Sequence, residues 1–526
     1  MADIAALFRL GRAGIVLARA GLFSLSDLEA LPSGPRRVAR MLSWLGPRNL
    51  TDGERAERLN VALHDLGPSY IKLGQFLATR ADLVGGEAAA VFGRLRDEIP
   101  PFPEAEARDI VARNLGRPVE AVFASFSPPV AAASIAQVHK AELAGSGGGR
   151  RTVAVKVLRP GVRNRFRRDL DTFFAGARFV ERIDPMSHRL KPVVVVETLA
   201  RSVAIEMDLR LEAAALSEMA ELTAGDQGFR VPRVEWEFTT RDVLTLEWID
   251  GIKLSDVAAL RAAGHDMTVL ARRLMQAFLR QALRDGFFHA DMHQGNFFVD
   301  AAGTIVAIDF GIMGRLGRKE RKFLAEILYG FIRRDYRRVA EVHFEAGYVP
   351  RVHSVDDFAQ ALRAIGEPIH GQNASEISMA RLLTLLFEVT EIFDMETRPE
   401  LLLLQKTMVV VEGVARTIDP AFDMWSASEP VIAEWIERNL GPAGYLESAA
   451  EGFGALGRLA GELPELAARA ERLSAEFAAM GERGIRLDPE TIADIGHAEA
   501  REGRCGRVAL WVIAAVAVIV GLRFVF

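Results

Sequence analysis

Cysteine is almost absent from this chain of 526 residues, which contains only Cys505. A single thiol excludes an internal disulfide and makes a cysteine-based metal site implausible. The net charge is −5, so there is no bulk electrostatic attraction to nucleic acid, and we expect no nucleic-acid partner. The chain also lacks a strand-associated G-x-G-x-x-G, so no dinucleotide fingerprint is present.

Long apolar runs are also scarce, and one of 15 uncharged residues lies near the C-terminus, from Val508 to Leu522. At about 1.5 Å per residue, residues 508–526 extend about 28 Å, close to the thickness of a hydrocarbon core. Three arginines precede the run, which by the positive-inside rule places the preceding domain in the cytoplasm. We therefore predict a single-pass anchor in the inner (cytoplasmic) membrane. A buried terminal helix is the alternative.

The pattern of apolar residues divides the chain into five parts. Residues 1–115 read as helical, and residues 116–250 combine strand-like runs with helices, as in a small lobe built on a sheet. Two of the strand-like runs lie in "VEWEFTTRDVLTLEWIDG", with a turn around Thr239 to Asp242. Residues 251–460 read as a mainly helical lobe, 461–507 as a helical connector and 508–526 as the anchor. The predicted fold class is α+β, with two lobes and a cleft suited to a nucleotide between them.

The segment "FHADMHQGNFFVD", followed by "AIDFG", carries the clearest chemistry. Asp291, Asn296 and Asp309 follow the order H-x-D-x-x-x-x-N and then D-F-G, which is typical of kinase-like phosphoryl transfer. In such sites catalysis is mostly positioning and charge neutralisation. We assign Asp291 to orient the nucleophile, and Asn296 and Asp309 to bind Mg²⁺ beside the phosphates of ATP.

A lysine from the small lobe would complete this set. "VAVKVL" places Lys156 on a strand with apolar neighbours, matching the V-A-I-K pattern of a phosphate-binding lysine. A buried ammonium needs an anionic partner, and Glu212 on a following helix is the best candidate. Lys156 and Glu212 are thus predicted to act with Asp291 in catalysis.

The glycine-rich loop of ordinary kinases is missing. Its place is taken by an alanine-rich loop, which lacks the conformational freedom of glycine but still offers backbone N–H groups. We expect the adenine edge to bind the backbone between Glu247 and Ile249. The predicted nucleotide-binding residues of the loop are Ala131, Ala132, Ala133, Ser134, Ile135, Ala136, Gln137 and Val138.

An activation segment is missing as well. After Gly311 the chain runs almost directly into a basic amphipathic stretch, with no A-P-E motif. Between Ile312 and Gly330 there is no serine or threonine, and Tyr329 carries the only hydroxyl. The usual platform for a protein substrate is therefore absent or replaced.

Taken together, these motifs resemble the UbiB family of atypical kinase-like ATPases. The resemblance rests on K-x-G-Q at Lys72 to Gln75, the alanine-rich loop, Glu206-x-Asp208 and the H-A-D…N/D-F-G set. It extends by motif from about Gly53 to about Gly330, and by layout beyond. One departure is H-A-D-M-H-Q-G-N, where Met292 and Gln294 replace two prolines of the family's loop.

The resemblance implies a bilobal kinase-like fold with a helical N-terminal extension that packs over the active site. It implies regulatory roles for Lys72 and Gln75 in that extension, and for Glu206 and Asp208 near the nucleotide and metal region. Further implications are ATP and Mg²⁺ as cofactors, and support of ubiquinone (coenzyme Q) biosynthesis at membranes. The implied partners are membrane lipid, polyprenylated quinone precursors and the biosynthetic enzymes.

Two other functions remain open at this point. A conventional protein kinase would phosphorylate a biosynthetic partner, although the alanine-rich loop and the missing activation segment argue against it. A non-catalytic lipid-binding scaffold fits the apolar tail, but leaves the intact metal-binding set unexplained. A direct hydroxylase has no support, because neither a dinucleotide fingerprint nor a facial-triad metal pattern is present.

Overall fold

The computed structural model describes residues 2–22, 40–41, 43–47, 51–78, 91–92, 99–144, 150–183, 191–370, 389, 392–395 and 399–440. The chain divides into two units, residues 1–437 and 438–526. Of the second unit only residues 438–440 are described. The predicted connector at 461–507 and the predicted anchor at 508–526 lie outside the described residues.

A four-stranded antiparallel sheet forms the first lobe, in the order β1-β2-β3-β5. Alternation along β3 explains how it is placed: Val153, Val155 and Val157 are almost fully buried in a core against a helix at 104–115, whereas Lys156 points to the other face. The strands of this sheet are β1 (Phe123–Ala132), β2 (Ala136–Ala144), β3 (Arg150–Leu158) and β5 (Val243–Glu247). The short β4 (Phe229–Arg230) precedes β5 in the chain but belongs to another sheet.

One strand prediction is wrong. The run after Val234 forms a 3₁₀ turn, Trp236–Phe238, instead of a strand, and only an isolated bridge joins Val234 to Leu246. The hydroxyl of Thr239 donates to the Glu235 carbonyl at 2.9 Å, which closes the chain on itself. Local side-chain bonds of this kind compete with a sheet ladder.

Helices precede β1 in the chain and also connect β3 to β4. The second of them begins with a capping box in which Thr51 and Glu54 bond each other's backbone amides, a strong start signal. It ends at Gly67, whose φ of +107° and close approach to the Arg165 guanidinium leave no room for a side chain. The helices are α1 (Ala2–Ala20), α2 (Asp52–Leu66), α3 (Pro68–Ala78), α4 (Glu104–Leu115), α5 (Val119–Val122), α6 (Val162–Ile183), α7 (Pro192–Glu206) and α8 (Leu209–Leu222).

The second lobe is mainly helical, with short strands around the predicted catalytic loop. Its strands are β6 (Ile252–Lys253), β7 (Phe287–His289), β8 (Phe297–Val299), β9 (Ile305–Ala307) and β10 (Met313–Arg315). Its helices are α9 (Val257–Ala262), α10 (Met267–Leu279), α11 (Arg318–Arg333), α12 (Tyr336–Glu345), α13 (Val355–His370), α14 (Pro399–Ile418) and α15 (Met424–Leu440).

The short strands set the relative position of the catalytic motifs. β8 and β9 form an antiparallel hairpin, and the Ile308 amide donates to the Asn296 carbonyl at 3.0 Å. This bond extends the pairing beyond the hairpin, so the residue before β8 lies beside the residues that follow β9. The chain then returns along β7 through β10.

No helix in the described ranges is both long and apolar enough to cross a bilayer. The prediction of a transmembrane anchor is therefore neither supported nor tested by these residues. The mixed helix and sheet content agrees with the predicted α+β class.

Candidate active site

A lysine between two carboxylates lies at the centre of the site. Nζ of Lys156 on β3 is 2.7 Å from Oε1 and 2.9 Å from Oε2 of Glu212 on α8. The same ammonium is 3.1 Å from Oδ2 of Asp309. The structure thus has the lysine–glutamate pair that the sequence predicts, and it adds the carboxylate of the D-F-G motif.

Burial and charge distribute the protons within this cluster. Burial alone would lower the pKa of Lys156, but the Asp309 and Glu212 carboxylates outweigh it and raise that pKa. Burial tends to raise the pKa of Asp309, yet Lys156 and the Gly311 amide bring it below its ordinary value. Burial, with repulsion from Asp309, raises the pKa of Glu212 despite its lysine partner. Asp309 is therefore the firmly ionised carboxylate, as a metal ligand must be.

His289 fixes the geometry of the catalytic loop. Its ring is fully buried, and its Nδ1 accepts the backbone N–H of Asp291 at 3.0 Å. Nε2 must then carry the proton, which it donates to the Asp309 carbonyl at 2.6 Å. Burial lowers the pKa of His289, in agreement with a neutral ring. One imidazole thus ties Asp291 to Asp309 through their backbones.

Asn296 is oriented by Asp291. Nδ2 of Asn296 donates to the Asp291 carbonyl at 2.9 Å and to its Oδ2 at 3.0 Å. Because both donors of the amide group point at Asp291, Oδ1 is left as an acceptor on the opposite side. This is the atom that a cation would bind.

The loop keeps its shape without the two prolines of the family pattern. Met292 is completely buried in the main core. The Nδ1 atom of His293 accepts the Gly295 amide at 3.2 Å and caps the 3₁₀ turn Gln294–Asn296. Packing on one side and a cap on the other therefore replace the restraint of proline, and His293 has a local structural role.

The alanine-rich segment is less loop-like than the sequence suggests. Ala131 and Ala132 end β1, residues 136–138 already belong to β2, and only Ala133 to Ile135 form the turn. The Ala133 amide donates to the Ala136 carbonyl at 2.8 Å, and Arg159 donates to the Ala133 carbonyl at 2.8 Å. The turn is held from both sides.

Two side chains of this segment point into the protein. Gln137 is fully buried and bonds both backbone groups of Phe102, with Oε1 accepting at 2.9 Å and Nε2 donating at 3.2 Å. Ser134 is also fully buried, and its hydroxyl has no partner among the described residues. Backbone amides, and not these side chains, are what the turn can offer to phosphate.

At the predicted adenine position, the backbone is partly committed. The Glu247 amide donates to the Arg233 carbonyl at 2.9 Å, and the Glu247 carboxylate accepts from Arg230 at 3.1 Å. Ile249 is nearly buried, and its amide forms no hydrogen bond with another residue in the described ranges. Of the two predicted residues, Ile249 is the one with a free donor.

An ion pair joins the K-x-G-Q motif to the glutamate of the E-x-D motif, whereas the aspartate of E-x-D caps a helix. Lys72 on α3 forms an ion pair of 2.6 Å with Glu206 at the end of α7, and both side chains are largely buried. Gln75 lies one turn further along α3 and is partly buried. Asp208 caps α8, accepting from the Arg210 amide at 3.2 Å and pairing with the Arg210 guanidinium at 2.7 Å. Asp208 thus positions the helix that carries Glu212.

Sequence reasoning missed the contribution of α14. The Thr407 hydroxyl, almost fully buried, lies 3.1 Å from the Ala290 carbonyl and 2.7 Å from the Leu403 carbonyl. This helix therefore lies against the catalytic loop. The signal was present as a polar Gln405-Lys406-Thr407 step inside the apolar run "LLLLQKTMVVV".

The donor set fits Mg²⁺ bound together with a nucleotide. No cluster of three or more histidine, cysteine or acidic side chains suited to a metal occurs in the described ranges. The available donors are the Asp309 carboxylate and the Asn296 amide oxygen. Mg²⁺ is commonly held in this way, by one or two protein oxygens completed by phosphates and water.

Two protein-family models match the chain. Residues 94–343 match the model of the ABC1 atypical kinase-like domain, and residues 362–423 match that of the UbiB helical domain. The second match includes the part of α14 that carries Thr407.

Three similar curated proteins are each described as a probable protein kinase UbiB. The protein of Marinobacter nauticus is 40% identical over 84% of this chain and 81% of its own length. That of Aeromonas hydrophila is 39% identical over 87% and 84%, and that of Vibrio cholerae 38% over 88% and 85%.

Among solved structures, the complex of Rv3197 with erythromycin from Mycobacterium tuberculosis matches with a TM-score of 0.47 at 24% identity. It covers 76% of this chain and 98% of that one. The identity and coverage of the curated relatives decide the assignment: this chain belongs to the UbiB family of kinase-like proteins.

Proposed function

We propose that the chain is an ATP- and Mg²⁺-dependent phosphoryl-transfer enzyme that supports ubiquinone biosynthesis at the inner membrane. The observation that carries the proposal is the convergence of Lys156, Asn296 and Asp309. An ammonium, an amide oxygen and an ionised carboxylate are the groups that a metal-bound triphosphate requires.

Each residue has a distinct part in this proposal. Asp309 and Asn296 would hold Mg²⁺, which neutralises the phosphate oxygens when it is bound. Lys156, restrained by Glu212, would bind phosphate from the side of β3. Asp291, fixed by His289 and Asn296, would orient the acceptor hydroxyl or water and take its proton. The turn would contribute the backbone N–H groups of Ser134 and Ile135, and Ile249 the donor to adenine.

The identity of the acceptor is part of the proposal. Only the residues from Ile312 to Gly317 separate Gly311 from α11, and half of them belong to β10. So short and paired a segment leaves little room for a docking platform for a protein substrate. This favours water or a polyprenylated quinone precursor as acceptor over the side chain of another protein.

The predicted membrane anchor favours the same substrate class. Residues 508–526 are long and apolar enough to anchor the chain, which would keep the site close to lipid-soluble intermediates. We propose a single-pass arrangement with the catalytic part in the cytoplasm, acting beside the biosynthetic enzymes.

The test is Mg²⁺-dependent ATP consumption by the purified chain, with and without vesicles and a phenolic lipid mimic. Asp309→Asn should abolish turnover, because a neutral amide binds Mg²⁺ weakly and loses its attraction to Lys156. Asp256→Asn is the matched control, since Asp256 caps α9 on the surface and asparagine caps equally well. Turnover of the Asp309 variant at the wild-type rate would refute the proposal.

A further inference from the structure

The helix α14 brings more than a structural contact to the catalytic loop. Thr407 reaches the Ala290 carbonyl at 3.1 Å, and Ala290 immediately precedes Asp291. The residue before Thr407 on α14 is Lys406. Lys406 therefore lies on the turn of α14 that contacts the loop, and it is close enough to the Asp291 carboxylate for an electrostatic attraction.

The Lys406 side chain is accessible to solvent and partly enclosed by protein. Its side chain is exposed, yet the surrounding protein lowers its pKa, while attraction to Asp291 acts in the opposite direction. Its ammonium is thus accessible to a ligand and partly shielded from water. Within the described residues, Lys406 forms no hydrogen bond, so its ammonium has donors to spare.

A cationic side chain near Asp291 would add to the charge neutralisation that Mg²⁺ and Lys156 provide. Lys156 is shared between Glu212 and Asp309, so the cluster around it has a net negative charge. The catalytic loop has no lysine or arginine between Asp291 and Asn296, and His293 serves as a cap. Charge that develops on the transferred phosphoryl group must be met by fixed donors.

We propose that Lys406 is a further catalytic residue, whose ammonium binds the phosphoryl group during its transfer. The inference rests on the proposed function. In the step, the bond from γ-phosphorus to the leaving oxygen breaks and a bond to the acceptor oxygen forms. The acceptor proton passes to Asp291, and Lys406 keeps its own protons and donates hydrogen bonds only.

The decisive variants are Lys406→Gln and Lys406→Arg. In K406Q we expect kcat to fall by about 10²- to 10³-fold, the usual effect of losing one charge-stabilising donor. The Kd for Mg-ATP, measured by calorimetry, should change less than about threefold, and the unfolding temperature should not change. K406R should recover at least about a tenth of the wild-type kcat.

Lys319→Gln on the surface of α11 is the charge-matched control and should keep wild-type turnover. K406Q turnover within twofold of wild type would overturn the role of Lys406 and leave the proposed function intact. A K406Q protein that unfolds or loses Mg-ATP affinity together with kcat would also overturn it, because the role would then be structural. A wild-type protein without any ATP turnover would overturn both proposals.

A double-mutant cycle tests whether Thr407 affects turnover by positioning Lys406. Thr407→Val removes the hydroxyl, and we expect kcat to fall about three- to tenfold because Lys406 is held less firmly. In the K406Q background the same change should have almost no effect. Thr417→Val on the same helix, where the hydroxyl also bonds a carbonyl four residues earlier, is the control. An equal loss in both backgrounds would contradict action through Lys406.

Discussion

The ammonium of Lys156 lies 2.7 Å from Oε1 of Glu212, and both side chains are mostly shielded from solvent. The lysine faces a second carboxylate, Asp309, at 3.1 Å. One positive charge thus serves two negative ones. This imbalance determines how each member of the cluster responds to substitution.

Glu212→Gln should lower activity far more than stability. The neutral amide leaves Lys156 paired with Asp309 alone. The two remaining charges balance, so the folded state loses little stability. The ammonium is then drawn towards Asp309, away from phosphate, and we expect kcat to fall roughly 10- to 100-fold. Steady-state kinetics and thermal unfolding measure the two effects.

The control for that variant is Glu218→Gln on the same helix. Glu218 pairs with Arg315 at 2.6 Å on the exposed surface, where such pairs contribute about 0–1 kcal/mol. Equal losses of activity in both variants would contradict a special role for Glu212.

Lys156→Met, unlike Glu212→Gln, should cause a large loss of stability at neutral pH. Removing one partner of a buried ion pair typically costs about 3–5 kcal/mol. Glu212 and Asp309 then face each other without a cation, so their pKa values in the folded variant rise above those in the unfolded chain. The folded variant holds protons that the unfolded chain has lost, and acid therefore favours its folded state.

The raised pKa of Lys156 keeps its own contribution constant in the wild type below about pH 10. The stability difference between wild type and K156M should thus narrow as the pH falls from about 8 to 5, and also on addition of Mg²⁺. Denaturant unfolding at several pH values measures it, with Lys140→Met on β2 as the control. A pH-independent difference would contradict the charge argument.

Gln137→Leu should destabilise the first lobe and loosen the alanine-rich turn. Leucine leaves the amide and the carbonyl of Phe102 unpaired, together with Nε2 of His139, which Gln137 meets at 3.0 Å. Each buried unpaired group costs about 1–3 kcal/mol, so we expect a loss of about 3 kcal/mol or more, with a raised KM for ATP.

Gln276→Leu removes a single bond, to the Ala427 carbonyl at 3.2 Å, and should cost only about 1 kcal/mol. Comparison of the two variants by chemical unfolding tests whether Gln137 stabilises the first lobe through its several hydrogen bonds. Equal costs would show that it does not.

Acid should weaken the second lobe through His343. This ring is buried, and burial lowers its pKa to about 4 from an ordinary 6.5. Between these values the unfolded chain binds a proton that the folded chain does not, so stability falls as the pH drops from 6.5 towards 4. The loss attributable to His343 is about 3 kcal/mol at pH 4.

His343→Phe removes this titration and keeps a ring beside Phe358, which lies 5.2 Å away between centroids. The variant should lose less stability than the wild type between pH 7 and 5, as measured by denaturant unfolding. His265→Gln, outside this cluster, should follow the wild-type curve. Parallel curves for H343F and wild type would exclude the effect.

The sequence predicts the catalytic loop well because its spacing is local. Asn296 and Asp309 flank the β8–β9 hairpin and Asp291 precedes it closely in the chain, and a motif specifies their order. The sequence also predicts the pair of Lys156 and Glu212, because a buried strand lysine requires an acidic partner. Family membership and the kinase-like fold are confirmed, whereas the membrane anchor and the roles of Lys72 and Gln75 stay predictions.

Contacts made through tertiary packing were beyond sequence reasoning. The polar residues 405–407 interrupt an apolar run, but they do not indicate that α14 returns to Ala290, more than a hundred residues earlier in the chain. Gln137 looks like a loop residue until its bonds to Phe102 are seen. The wrong strand after Val234 has a similar cause, since local bonds from Thr239 outweigh an alternating pattern.

Phe310 of the D-F-G motif is 2% exposed and lies 5.0 Å from the ring of His289. On either side, the Ala290 amide donates to the Ile312 carbonyl at 3.0 Å and the Leu316 amide to the Gly286 carbonyl at 2.8 Å. Turning Phe310 outwards would empty its pocket and remove its contact with the His289 ring, while these bonds hold the backbone that follows. Inhibitors that select an outward phenylalanine should therefore find no such state to bind, and compounds that compete for the nucleotide cleft are the better starting point.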